Sequence, residues 1–286
     1  MRRSLAKLGP LRTARKGRIF WSGPFSGDSR ERAYLMGLRA GDINVMRTSH
    51  LKMVSRVSST HQAMLELFRQ TFAPYGQCNA EPRKVFLSGY DWQLKVQLDG
   101  SFEFLVDEPL EIPSEEDLFY WFLAGLADSD GSWCLFGDKG KTACAFMISS
   151  QSKLLLERTK TRLEKECYHA KLYLDKKKGT KKTIRGVNES REITLTKDLW
   201  RLDIHRREEV RALARKLLPI SRHSEKRRKM FLILDEANEE WGTMGPKVQR
   251  LRDEIRNETA RTISDAEIEY KAKGTREVNG GRRLER

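Results

Sequence analysis

No stretch of this chain is long and apolar enough to span a bilayer, and none of its four cysteines, Cys78, Cys134, Cys144 and Cys167, forms a Cys-x-x-Cys pair. With five histidines in the chain, none stands at zinc-ligand spacing from a cysteine. These absences argue against a membrane protein, a disulfide scaffold and a structural zinc site, and free thiols are expected. The opening stretch MRRSLAKLGPLRTARKGR is basic but lacks an apolar run of signal-peptide length. We therefore expect an intracellular protein, cytoplasmic or organellar and not secreted. Acid is also scarce: 40 Asp and Glu face 55 Lys and Arg, a net charge of +15, which favours a polyanionic partner. The 286 residues, 38% of them hydrophobic, suffice for one large domain or two modest ones.

What is present begins with LAGLADSDG, Leu123 to Gly131, where Asp128 and Asp130 end an apolar helical run containing the small residues Ala124, Gly125 and Ala127. A second copy, LMGLRAGDI, runs from Leu35 to Ile43. Superposed, the two place Gly37 on Gly125, Leu38 on Leu126 and Asp42 on Asp130. Each copy is followed by two strand-like runs, a helix pattern and two further strand-like runs. In the first half these are INVMRTSH and LKMVSRVSS, a helix capped by Thr60, then KVFLSGY and DWQLKVQLD. In the second half they are GSWCLFG and TACAFMISS, a helix capped by Ser152, then AKLYLDKKK and REITLTKDLWRLDIHRR. A closing helix is expected in each half, that of the second at REEVRALARKLLP, and the second half adds a basic loop, KKGTKKTIRGVNES.

Gly37 and Gly41 are four apart, as are Gly125 and Ser129, so each motif helix presents a small-residue stripe that allows close backbone approach. If the stripes pack together, Asp42 and Asp130 meet at two helix C-termini, which already carry partial negative charge. A cation must compensate. Mg²⁺ suits a site of one or two carboxylates, backbone carbonyls and a substrate phosphate, and Mn²⁺ is expected to substitute.

LMGLRAGDI and LAGLADSDG resemble the two motifs of a LAGLIDADG homing endonuclease in its single-chain, double-motif form. The resemblance implies an α+β fold of two pseudo-twofold αββαββα repeats, each lending an antiparallel sheet to a saddle over the DNA major groove. It implies metal at Asp42 with the Gly41 carbonyl and at Asp130 with the Ser129 carbonyl, and cleavage across the minor groove. Ile43 stands where the family has glycine, with Asn44 as a candidate left-handed turn. The family's polar and basic strand ends read Ser58 and Ser59 in one half, Ser150 and Gln151 in the other. Gln151 is thus a candidate catalytic residue. So is Arg222, with His223 behind it, in LLPISRHSEKRRK.

The strands support a DNA reader independently. Trp92, Leu94, Val96 and Leu98 alternate with Gln93, Lys95 and Gln97, and Trp200, Leu202 and Ile204 with Arg201, Asp203 and His205. Side chains of the second set suit base edges. Lys171, Tyr173, Lys181 and Lys182 join them as candidate DNA contacts. The expected organisation is a basic arm at 1–29, repeats at 30–108 and 115–220, a linker at 109–114, C-terminal helices at 221–272 and a disordered tail at 273–286. The expected activity is site-specific double-strand DNA cleavage by a monomer with Mg²⁺. The alternative is an RNA maturase, partnered by intron RNA, or a cleavage-inactive DNA-binding relative.

Overall fold

The computed structural model describes residues 22–49, 52–106, 111–187, 190–235 and 240–281, with side chains as far as 273. Most of the expected basic arm and part of the linker lie outside these residues. Helix α1 (Ser29–Ala40) starts at Asp28, whose side chain accepts from the Glu31 N–H, the usual role of an aspartate at a helix N-cap. Strands β1 (Asn44–Ser49) and β2 (Lys52–Ser59), helix α2 (Gln62–Phe72), and strands β3 (Asn79–Val85) and β4 (Gly89–Asp99) complete the first repeat. The second has α3 (Glu116–Ser129), β5 (Gly131–Asp138), β6 (Lys141–Ser150), α4 (Lys153–Lys165), β7 (Lys171–Lys176), β8 (Lys181–Arg185), β9 (Ser190–Thr194), β10 (Leu199–Ile204) and α5 (Arg207–Leu217). Helices α6 (Ser224–Asp235) and α7 (Trp241–Gly281) follow.

The two four-stranded sheets have the same antiparallel order, β1-β2-β4-β3 and β5-β6-β10-β7. This is the expected α+β arrangement of two equivalent repeats. Trp92, Leu94, Val96 and Leu98 of β4 and Leu202 and Ile204 of β10 are buried in a core shared by both sheets and centred on α1 and α3. Period-two alternation thus assigned the inner faces correctly.

Local expectations differ from the structure at several points. The cap of α2 is His61, not Thr60, and makes no side-chain cap bond, whereas Ser152 caps α4 by accepting from the Leu155 N–H. Strand β3 begins five residues before KVFLSGY, whose Phe86, Leu87 and Ser88 form the β3–β4 turn. It includes Pro82, tolerated because β3 is an edge strand. The first repeat closes with a 3-10 turn at Gly100–Leu105 in place of an α-helix. The basic loop is a hairpin, β8–β9, and REITL belongs to it and not to the strand containing WRLDI. Asn44 opens β1, and the positive-φ non-glycine residues among those described are Lys139 and Cys167, so no left-handed turn forms at Asn44. Ile43 is buried in the core. Helix α7 continues to Gly281, through much of the tail expected to lack structure. Among the described residues no helix is long and apolar enough to cross a membrane.

Candidate active site and nucleic-acid interface

The motif helices cross with their backbones in contact. A Cβ on Gly37 would lie 2.0 Å from the Phe122 carbonyl oxygen, and one on Gly125 would lie 2.1 Å from that of Tyr34. Neither distance is compatible with a side chain, so the glycines are what lets α1 and α3 meet. Lower down, a Cβ on Gly41 would lie 1.9 Å from the Ser129 hydroxyl and 3.1 Å from the Asp130 carboxyl carbon. Gly41 and Ser129, placed on the interface by their spacing, therefore lie at it, and the helix ends arrive side by side. Gly131 has a similar constraint, since a Cβ there would come 2.6 Å from the Ala127 carbonyl oxygen.

Asp42 and Asp130 line one cleft of about 250 Å³ with Ser58, Ser59, His61, Ser129, His223 and Lys226. Burial, reinforced by the negative charge of Asp42, raises the Asp130 pKa to about 7, and Lys226 opposes the shift. A carboxylate pair of this kind fits a hard, oxygen-seeking divalent cation. Among the described residues no group of three or more His, Cys, Asp or Glu is gathered for a metal, so phosphate and water would complete any coordination shell. A larger groove of about 870 Å³ opens at the other end of the motif helices, lined by Arg32, Glu111, Glu115, Arg158, Arg162 and Lys165. Neither motif carboxylate reaches it.

Asp128 and Asp130 part company. Asp128 is 1% exposed and accepts from the Tyr34 hydroxyl at 2.7 Å, the Ser221 hydroxyl at 2.5 Å, the Arg222 N–H at 2.6 Å and the His223 N–H at 3.3 Å. Burial raises its pKa, and the hydrogen bonds from Ser221, Arg222 and Tyr34 pull the other way. It is a joint that fastens both α1 and the α5–α6 connection to the end of α3.

Two candidate catalytic residues are placed elsewhere. The Arg222 guanidinium turns away from the cleft, paired with Glu31 and lying 4.1 Å over the Tyr34 ring. Its backbone, not its charge, serves the site. Gln151 is exposed just beyond β6 and is not part of the cleft lining; the corresponding position of the other half, Ser59, is. His223 does line the cleft, 4% exposed, with burial lowering its pKa to about 3. Two basic groups of the cleft, Lys226 and Lys229, were missed by sequence reasoning, and Lys226 is the one at the end of α3. Its Nζ donates to the carbonyls of Ala127, Asp128 and Ser129. Lysine at i+4 from Arg222 in a basic run carries no pattern that distinguishes it from a solvated helix face.

The outer sheet faces hold the expected readers, with two corrections. Lys95, paired with Glu81 at 3.1 Å, and Gln97 are partly exposed on β4. Gln93 is 8% exposed, because β4 is an interior strand and the Gln93 amide lies down on the Ser58 hydroxyl at 3.3 Å. Lys171 and Tyr173 project from β7, and Arg201 lies opposite Tyr173 on β10. Asp203 is 1% exposed and accepts from the Tyr173 hydroxyl at 2.5 Å, Arg201 Nε at 2.9 Å and, with a protonated ring nitrogen, His205 Nε2 at 3.2 Å. It is a buried anchor for three exposed or half-exposed groups, too covered to accept from a base itself. Lys181 and Lys182 are exposed on β8. The turn of this hairpin meets the β3–β4 turn of the other repeat, with Gly186 against Phe86 and the Arg191 guanidinium 4.3 Å over the Phe86 ring.

The chain is similar to several known proteins. A curated relative, the uncharacterized protein MJ0398 of Methanocaldococcus jannaschii, is 26% identical over 216 residues, covering 73% of this chain and 74% of its own. Among solved structures, the homing endonuclease I-WcaI bound to its DNA recognition sequence aligns at 15% identity and a TM-score of 0.49, covering 71% of this chain and 86% of that one. Mesophilic variants of I-DmoI align at 14% and 0.44, covering 67% and 96%. The N-terminal LAGLIDADG domain of DUF199/WhiA aligns at 16% and 0.42, covering 68% and 86%. Residues 120–217 match the family model of the LAGLIDADG-like domain. The matched span, residues 120–217, lies within the second of the two repeats, which share one sheet order.

Proposed function

We propose that this chain is a site-specific DNA endonuclease that makes a double-strand break as a monomer. The observation that carries this reading is the convergence of Asp42 and Asp130, one from each repeat, in a single cleft where Gly37 and Gly125 bring two helix ends together. A divalent cation bound there, Mg²⁺ or Mn²⁺, would supply positive charge opposite a scissile phosphate and a more acidic water. The chain's own part is to hold that charge with Asp42 and Asp130, to crowd the cleft with His223 and Lys226, and to seat the duplex. Lys95, Gln97, Lys171, Tyr173, Arg201 and His205 are the proposed groove-facing contacts, with Gln93 partly covered among them.

Incubation with a plasmid library of randomised sites and Mg²⁺, followed by sequencing of the released ends, tests the activity. Linear product with one recurrent site is expected. Binding without linearisation would point to a cleavage-inactive DNA-binding relative.

Two predictions concern recognition. Asp203→Ala is expected to relax base preference at the same positions as Arg201→Ala, each by about 1 to 3 kcal/mol of discrimination if the arginine contact is bidentate. The double variant should be little worse than either single one, because both remove one arrangement. Full additivity in competition binding would separate the two residues. Neutralising Lys181 and Lys182 is expected to weaken all sequences alike and to make the slope of log affinity against log salt shallower by about 0.9 for every phosphate left unneutralised. A weakening confined to particular base pairs, with the salt slope unchanged, would remove the hairpin from backbone binding.

A further inference from the structure

The cation that two adjoining helix C-termini call for is already present at one of them, as a side chain. Lys226, in the first turn of α6, places Nζ 2.8, 2.7 and 2.6 Å from the carbonyl oxygens of Ala127, Asp128 and Ser129. An ammonium has three protons, and these three carbonyls take them all. They are among the last carbonyls of α3, and that of Ala127 also accepts from the Asp130 N–H at the cap. The ammonium is held in place from its own side as well. Asp128 grips the Ser221 hydroxyl and the Arg222 and His223 N–H groups just before α6, and His223 Nδ1 accepts from the Lys226 N–H at 3.4 Å.

The Ser129 carbonyl is the one expected to bind metal beside Asp130, and it is engaged by Lys226. Among the described residues the first repeat has no counterpart for this arrangement. Its last strand leads into a 3-10 turn, whereas the second leads through α5 into α6. Asp42 is exposed on its side of the cleft and Asp130 is partly buried, and the ammonium feels the charge of both. The pseudo-twofold symmetry of the fold is therefore broken at the point where charge matters.

We infer that Lys226 takes the cation position at the end of α3, so that the cleft holds one divalent ion, on the Asp42 side, and not one at each motif. This rests on the endonuclease reading and gives it an asymmetric site. The test is titration of Mn²⁺ alone into the full chain at low ionic strength, with free Mn²⁺ read by its electron paramagnetic resonance signal. The wild type is expected to bind one ion and Asp42→Asn to lose it. Lys226→Gln is expected to bind a second at least tenfold more tightly than any second ion on the wild type. Lys226→Arg, which keeps the charge, should still bind one. Two equivalent ions on the wild type, or on Lys226→Arg, overturn the inference and leave the endonuclease reading standing; so does a folded Lys226→Gln that binds only one. A thermal melt establishes whether Lys226→Gln is folded, and if it is not, the wild-type and arginine stoichiometries decide. No bound ion on any of the proteins overturns both the inference and the metal-dependent nuclease reading.

Discussion

Asp42→Asn and Asp130→Asn are each expected to abolish double-strand cleavage while leaving DNA affinity nearly intact. Asparagine keeps the shape but removes negative charge from the cleft in which a divalent cation would sit opposite the phosphate. Such a cation is worth several kcal/mol in the transition state, and each 1.4 kcal/mol is about tenfold in rate, so a loss of about a hundredfold or more is expected. Single-turnover cleavage in saturating Mg²⁺ measures it; a variant that cuts at the wild-type rate would strike its residue from the mechanism.

Asp130→Asn has a second expected effect that a purely catalytic residue would not show. The folded-state pKa of Asp130, about 7, lies above the ordinary aspartate value, so the native protein binds a proton that the unfolded chain has released. Its contribution to stability is therefore retained below about pH 4 and lost progressively as pH rises towards 7. At pH 8 the buried charge faces Asp42 at full cost. The asparagine variant should accordingly melt higher than the wild type at pH 8, with the difference shrinking towards pH 5. One pKa unit is worth about 1.4 kcal/mol, so the gain is a few kcal/mol at most, reduced because Asp130 is partly open to solvent. A melting temperature that is the same or lower at pH 8 would mean that the two carboxylates do not strain the cleft.

The largest expected loss of stability is from Gly37→Ala or Gly125→Ala. Each adds only a methyl group, yet each methyl would stand about 2 Å from a carbonyl oxygen of the opposing helix. Backbone cannot yield as a flexible side-chain end can, so the helices must separate, and with them the shared core of both repeats. Overpacking typically costs about 1 to 3 kcal/mol and occasionally more; these sites are expected at or above the upper end. Alanine would otherwise favour a helix by about 1 kcal/mol over glycine, so the sign of the measured change is itself diagnostic. Denaturant titration of both variants checks it. Stability equal to or above wild type would show that the motif helices do not pack through these glycines.

The same glycines show how far the sequence could be read. The duplication of a small-residue stripe ending in aspartate, and the period-two alternation after it, are local patterns, and they were sufficient to place α1 against α3, to orient β4 and β10, and to bring Asp42 to Asp130. Helix caps and strand ends were less legible. Thr60 and His61 differ by one residue in a segment where either can precede the helix, and an edge strand can absorb Pro82 where an interior strand could not.

The sequence by itself determined the repeat, the core-facing residues and the identity of the two converging carboxylates, because each follows from spacing along one element and from the pairing of two like elements. Only the tertiary structure decided what each remaining polar group does. Asp128 and Asp130 are two residues apart, yet a helix turns them in different directions, one to fasten α1 to the α5–α6 connection and one into the cleft. Asp203 has the strand position of a base reader and is an anchor, since three neighbours from two segments close over it. Arg222 and Lys226 lie in one basic run, but Arg222 finds Glu31 and Lys226 finds the end of α3. Long cationic side chains go where the nearest uncompensated negative charge lies, and that is set by elements almost a hundred residues or more away in the chain.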